Sequence, residues 1–299
     1  MLQIDKPLPG PVLLATDGSR DSHLAPAAAV HLSNRARTPL RLVHAWGGPA
    51  LASADTRSVS DELLGTVERD ARLLLGREVN RIRKAGDPVA EGHLREGDAT
   101  DVVLAVAREI GAGLIVIGSR GRGVVRRIFF GSVAEGVLRG AHCPALVTRD
   151  RRSWPPTRVV VGDDCSDVSL HTARTAIVIS MLTGAPVTLV RAQSDYELLV
   201  SARGAPAQGL EELVHEITGS LRERAVGLER ETGVRMEVMG VIGEPAEALI
   251  QQGDSRGEAT ILAVGRRGLG RLDRLAFGSV SIKVLRGGAC PVLVCPPVE

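Results

Sequence analysis

Short apolar runs alternate with longer amphipathic segments along the first half of the chain. The runs Val12–Thr16, Leu114–Ile117 and Ala145–Thr148 are almost continuously apolar, which is typical of parallel strands buried on both faces. Leu40–Ala45 and Val89–Arg95 are the other predicted strands. Strands that alternate with helices at this spacing predict a parallel, doubly wound α/β sheet.

The segments between these strands predict helices over residues 22–34, 60–84, 98–110 and 132–139. Ser22 and Ser60 are predicted N-caps, because a short polar side chain accepts hydrogen bonds from the free N–H groups of a first helical turn. Asp98 to Asp101 resembles a capping box. These signals set the expected starts of the first three helices.

The second half of the chain repeats the first. Asp17-Gly18-Ser19 corresponds to Asp164-Cys165-Ser166, and Leu114–Ser132 corresponds to Ile261–Ser279, both at an offset of 147 residues. The repeat predicts two tandem domains of the same α/β fold.

A charged linker that ends in prolines, residues 149–156, joins the two repeats. The predicted domains are residues 1–150 and 157–299, and each is long enough to bury a core of its own.

Composition narrows the functional classes. The net charge of +2 and the aromatic content of 2% argue against a nucleic-acid binder, which needs a basic surface or stacking rings. No signal peptide and no membrane-spanning run is found, so no membrane partner is expected. The four cysteines lack metal-ligand spacing, which favours free thiols in a reducing cytoplasm.

Each repeat carries a glycine-rich motif after a predicted strand. The motifs are Gly118-x2-Gly121-x9-Gly131-Ser132 and Gly265-x2-Gly268-x9-Gly278-Ser279. Glycines let backbone N–H groups approach phosphate oxygens, and the helix start that follows offers further N–H groups. The alternative is that these glycines only make turns. The motif lacks the GxxxxGK[ST] pattern of Walker-type P-loops.

Other residues also follow the ends of predicted strands. Ligands of open α/β sheets bind beyond the carboxyl ends of the strands. Asp17, the residues after Val43, and Gly118 are therefore expected to converge on one crevice. Neither a nucleophile–base pair nor an acid–base pair stands out near the glycine motifs, which favours binding over turnover. The sequence also contains no carboxylate cage for Mg²⁺, so a magnesium ion is expected only as a companion of the phosphates.

The DGS turn, the glycine motif and the closing strand Cys143–Val147 together resemble the universal stress protein family, as two tandem domains. The resemblance implies an adenine nucleotide α-hydrolase-like sheet of order 3-2-1-4-5, ATP between the first and fourth strands, and domains paired through their last strands. It also implies that Asp17 lies by the nucleoside, that the backbone of Val43 contacts adenine, and that the glycines and Ser132 hold the ribose and phosphates.

The candidate ATP-binding residues come from both repeats, and Arg120 and Arg267 are included as candidate phosphate contacts. In domain one they are Ala15, Thr16, Asp17, Val43, Gly118, Arg120, Gly121, Gly131, Ser132 and Val133. In domain two they are Asp163, Asp164, Val190, Gly265, Arg267, Gly268, Gly278, Ser279 and Val280. Cys165 replaces the glycine of the DGS turn, which puts the second site in doubt.

The leading hypothesis is a cytoplasmic, ATP-binding stress-response protein that forms a homodimer and is not an enzyme. Two alternatives stay open: a nucleotide-independent interaction scaffold, and an enzyme that hydrolyses ATP slowly.

Overall fold

The computed structural model describes residues 7–19, 24–47, 61–84, 89, 91–119, 131–149, 154–194, 208–254, 259–266 and 278–297. The chain divides into two compact units, Lys6–Asp150 and Arg151–Glu299. Each unit contains a parallel sheet with helices connecting its strands.

Unit one has a parallel sheet with the strand order β3-β2-β1-β4-β5. Its strands are β1 (Val12–Ala15), β2 (Leu40–Gly47), β3 (Glu91–Gly97), β4 (Leu114–Gly118) and β5 (Ala145–Thr148). Val12 of β1 is in register with Leu40 on one side and with Leu114 on the other. This order is the predicted one, and it makes β1 the central strand.

The helices of unit one are α1 (Leu24–Ala36), α2 (Asp61–Lys84), α3 (Ala99–Glu109) and α4 (Ser132–Gly140). Asp98 is the N-cap of α3, and its carboxylate accepts from the N–H groups of Thr100 and Asp101. Ser22 and Ser60, the other predicted caps, lie outside the described residues.

Unit two repeats this arrangement with the order β8-β7-β6-β9-β10. Its strands are β6 (Arg158–Gly162), β7 (Val187–Gln193), β8 (Met236–Ile242), β9 (Thr260–Gly265) and β10 (Val292–Cys295). Its helices are α5 (Asp167–Thr183), α6 (Gln208–Thr232), α7 (Pro245–Asp254) and α8 (Ser279–Gly287). Val159 pairs with Val187 and Ile261, which reproduces the register of β1.

The core of each unit lies on both faces of its central strands. Leu13, Leu14 and Ile115 are fully buried in unit one, and Val160 and Leu262 are fully buried in unit two. Strands without a solvent-facing side explain why their sequences are continuously apolar. Among the described helices, none has both the length and the apolar character that crossing a bilayer requires.

Candidate functional site

The carboxyl ends of three strands meet at one edge of the unit-one sheet. Ala15, the last residue of β1, is in register with Val43 of β2 and with Ile117 of β4. The next residue, Thr16, donates its N–H to the carbonyl oxygen of Val43 over 3.0 Å. Asp17 therefore lies just after the end of β1, and Gly118 ends the adjacent strand β4, as expected for a crevice at the switch point.

The chain returns to the same edge after the glycine motif. The N–H of Gly131 donates to the carbonyl oxygen of Ser119 over 3.0 Å, which places the start of α4 beside the end of β4. Gly131 is the N-cap of α4 and provides no side chain to cap it. The first-turn N–H groups, to which Ser132 and Val133 contribute, are thus available to an anion.

The turn after β1 requires a glycine. The N–H of Ser19 donates to Asp17 Oδ1 over 2.9 Å, and the N–H of Gly18 donates to Thr16 Oγ1 over 3.1 Å. Gly18 has φ +68°, and a Cβ at this position would lie 2.7 Å from the side chain of Leu74 in α2. The left-handed backbone and the packed neighbour both disfavour a larger residue here.

Unit two forms the same edge. The N–H of Asp163 donates to the carbonyl oxygen of Val190 over 2.9 Å, and Ser281 Oγ donates to the carbonyl oxygen of Gly265 over 2.7 Å. Gly278 is the N-cap of α8, again without a side-chain cap. The start of α8 therefore lies beside the end of β9.

These residues surround a cavity of about 250 Å³ in unit two. Of the predicted residues, its lining includes Asp163, Asp164, Val190, Gly265, Gly278, Ser279 and Val280. Other lining residues were not predicted as nucleotide contacts, among them Ser166, Ser169, Arg191, Gln193, Pro245 and Leu249. A signal for Pro245 and Leu249 existed, because Pro245 begins the helix after β8, a strand that ends at the same edge, and Leu249 lies one turn further along that helix.

Four predicted residues, Arg120, Gly121, Arg267 and Gly268, lie outside the described residues. Their proposed contact with phosphate stays a prediction. The remaining candidates lie at or just after the carboxyl ends of strands or at the helix starts just described, except Val43 and Val190, which lie within β2 and β7.

A sequence model of the universal stress protein family matches residues 10–149 and again residues 156–296. The chain belongs to the universal stress protein family. It is 29% identical over 294 residues to universal stress protein Rv2005c of Mycobacterium tuberculosis (strain ATCC 25618 / H37Rv), which covers 95% of this chain and 96% of the relative. It is also 27% identical over 293 residues to Rv2623 of the same strain, with 95% of each covered.

Solved structures of universal stress proteins share the fold over nearly the whole chain. One from Archaeoglobus fulgidus DSM 4304 has a TM-score of 0.68 at 20% identity and covers 98% of this chain and 99% of that chain. A putative universal stress protein from Pseudomonas aeruginosa UCBPP-PA14 has a TM-score of 0.66 at 18% identity and covers 95% and 92%.

The cysteine that replaces the DGS glycine in this universal stress protein keeps the glycine's backbone conformation. Cys165 has φ +65°, close to the +68° of Gly18. Its Sγ accepts from Arg191 Nη1 over 3.3 Å, and the same nitrogen donates to Ser220 Oγ of α6 over 2.9 Å. In unit two Arg191 therefore connects this turn to Ser220 of α6, whereas in unit one the side chain of Leu74 in α2 lies next to Gly18.

Two charged groups beside the unit-two site are buried. The Asp163 side chain is fully buried and lies 3.3 Å from Arg224 Nη1, measured to Oδ1. Arg266, directly after Gly265, is also buried, and desolvation lowers the pKa of its guanidinium from the ordinary value. Among the described residues, no group of histidine, cysteine or acidic side chains has the arrangement of a metal site.

Proposed function

We propose that the protein is an ATP-binding regulatory protein of the stress response, with one nucleotide site in each unit. The observation that carries the proposal is the unit-two cavity. Its lining combines the ends of β6, β7 and β9 with the start of α8, and it includes every predicted unit-two residue that the structure describes. In unit one, the same strand ends and the same kind of helix start support an equivalent site.

The chemistry of the lining changes across the cavity. Val190, Leu249 and Val264 contribute apolar surface, which suits a base. Gly278 and Ser279 lie at the uncapped start of α8, where free N–H groups and the positive end of the helix dipole favour phosphate. A nucleotide in this orientation has its ribose over β6, beside Asp164.

The charge of the lining is mixed, because it contains Asp163 and Asp164 as well as Arg191, so the phosphates are proposed to lie at the start of α8. Arg191 lies in the lining, and the first turn of α8 contains no acidic residue. Arg120 and Arg267 are proposed to add phosphate contacts from the glycine motifs. In this proposal a magnesium ion accompanies ATP and is coordinated by the phosphate oxygens.

Regulation follows if ATP binds one state of the protein better than another. The proposed states are a free chain and a homodimer in the cytoplasm, with domains paired through their last strands. The proposed protein binds ATP without turning it over.

Isothermal titration with ATP and Mg²⁺ tests the proposal. The wild type is expected to take up about two nucleotides per chain, one at each helix start. Ser132→Asp and Ser279→Asp place a negative charge where phosphate is proposed to bind, and each is expected to remove one site. An aspartate in a first helical turn is favourable for the helix itself, so loss of folding is not expected.

Thr66→Asp is the control, because it adds the same charge on an exposed part of α2. Full uptake by both serine variants contradicts the proposed phosphate position. No uptake by the wild type contradicts ATP binding and favours the scaffold. Release of ADP over many turnovers favours the enzyme.

A further inference from the structure

An arginine of helix α6 contacts the turn that follows β6. Arg224 Nη2 donates to the carbonyl oxygen of Cys165 over 2.6 Å, and Nη1 donates to the carbonyl oxygen of Ser166 over 3.0 Å. Nη1 also lies 3.2 Å from Ser169 Oγ and 3.3 Å from Asp163 Oδ1. One guanidinium thus joins four residues of the segment 163–169 to α6, a helix that lies 55 or more positions later in the chain.

The carboxylate of Asp163 binds the same turn from inside. Its Oδ1 accepts from the N–H of Cys165 and from Ser169 Oγ, each over 2.7 Å. Its Oδ2 is buried and has no hydrogen-bond partner among the described residues. A buried carboxylate is costly unless it is paired, so Arg224 is needed to compensate its charge.

A buried ion pair adds little net stability compared with an apolar pair of the same volume. Its contribution is the fixed position of the groups that it joins. Here those groups form the wall of the cavity, since Asp163, Ser166 and Ser169 all line it. Arg224 is not among the described lining residues and acts on the cavity through them.

The turn of unit two has an unfavourable backbone conformation that contacts such as those of Arg224 must stabilise. Cys165 holds a left-handed backbone, which costs a residue with a Cβ about 1 kcal/mol. In unit one the same conformation belongs to Gly18, and Thr16 stands where unit two has Asp163. The uncharged Thr16 needs no ion pair.

We propose that Arg224 is a positioning residue for the nucleotide site of unit two. It holds residues 163–166 in the conformation that the site uses, and it makes nucleotide affinity there depend on helix α6. This inference rests on the proposed ATP site of unit two. The replacement of glycine by Cys165 therefore does not remove the proposed site, because the contacts of Arg224 hold this turn in place.

Titration of the full chain with ATP and Mg²⁺ tests this role, in a Ser132→Asp parent in which only site two titrates. Arg224→Gln is expected to weaken ATP binding by about 3- to 30-fold. It is also expected to speed amide exchange in residues 163–169 without nucleotide. Arg222→Gln is the matched control, because it removes the same charge from an exposed position of the same helix.

The double variant Asp163→Asn/Arg224→Gln separates position from stability. With no buried charge left unpaired, its urea midpoint is expected to recover, while amide exchange in residues 163–169 stays fast, because the guanidinium that joins them to α6 is absent. Recovery of both the midpoint and slow exchange overturns the proposal, as does an unchanged affinity in Arg224→Gln. A parent that binds no ATP contradicts the proposed function itself and removes the inference with it.

Discussion

Among single residues, Gly18 and Cys165 occupy equivalent positions in the turns after β1 and β6 but have different side-chain surroundings. Gly18 and Cys165 share a left-handed conformation. Gly18 packs against Leu74, whereas the Cys165 thiol contacts Arg191. The two positions therefore differ in the substitutions that they tolerate.

Gly18→Ala is expected to lower the free energy of unfolding of unit one by about 1–3 kcal/mol, because it adds left-handed strain and displaces Leu74. The matched variant Cys165→Gly relieves strain but loosens the unfolded chain, so its net change is expected to stay within about 1 kcal/mol. Urea denaturation, with hydrogen exchange to assign each unit, measures both. Equal losses in the two variants contradict this account.

The buried thiol of Cys295 is expected to make the free energy of unfolding depend on pH in the alkaline range. Burial raises the pKa of its thiol to about 12, although hydrogen bonds with Thr175 and Thr172 act in the opposite direction. The unfolded thiol ionises near the ordinary value of 9.0. The stability that this thiol contributes is therefore complete below about pH 9 and is lost as the pH rises toward 12.

Cys295→Ala removes this contribution. The difference in unfolding free energy between wild type and variant is expected to shrink by about 1.5 kcal/mol from pH 8 to pH 10. Urea titrations at the two pH values under reducing conditions measure it. A difference that stays constant contradicts the buried neutral thiol.

At the scale of elements, the apolar pattern predicted the buried strands well and the exposed ones less well. The bounds of β5 match the prediction, and β1 and β4 differ from it by one residue. The strand β3 begins at Glu91, two residues after the predicted start at Val89. It lies at the edge of its sheet and has mostly exposed side chains, so its sequence gives only a weak apolar signal. An exposed strand lacks the burial that produces the apolar signal.

Contacts between distant elements were not predictable from the pattern. The predicted unit-two residues that the structure describes line one cavity, because the order of the strands brings their ends together. The ion pair between Asp163 and Arg224 gave no sequence signal, since it depends on how α6 packs against the sheet. Periodicity predicts which face of a helix is buried and leaves its neighbours undetermined.

The start of α3 gives a prediction at this scale. Asp98→Ala is expected to destabilise unit one by about 1 kcal/mol, because two N–H groups of the first turn lose their acceptor. Asp101→Ala is the control, since it leaves the cap in place and removes a favourable first-turn charge worth about 0.5 kcal/mol. Urea denaturation of both variants measures the difference. A larger loss in the control contradicts the capping role.

At the scale of the whole molecule, the proposed regulation predicts that ATP changes assembly. Sedimentation velocity with saturating ATP and Mg²⁺ is expected to show a larger homodimer fraction than the nucleotide-free protein. The double variant Ser132→Asp/Ser279→Asp is expected to show no response. An unchanged distribution in the wild type contradicts control of assembly and leaves ATP binding intact.

Each unit of this universal stress protein is proposed to hold an adenine nucleotide. The most direct test is to purify the full chain gently, saturate it with ATP, remove free nucleotide, denature the protein and quantify the released adenine nucleotides by chromatography. We expect about two nucleotides per chain, one for each glycine motif and helix start. Gly121→Ala and Gly268→Ala are each expected to lower that number. No nucleotide released and none taken up by the wild type would contradict the account.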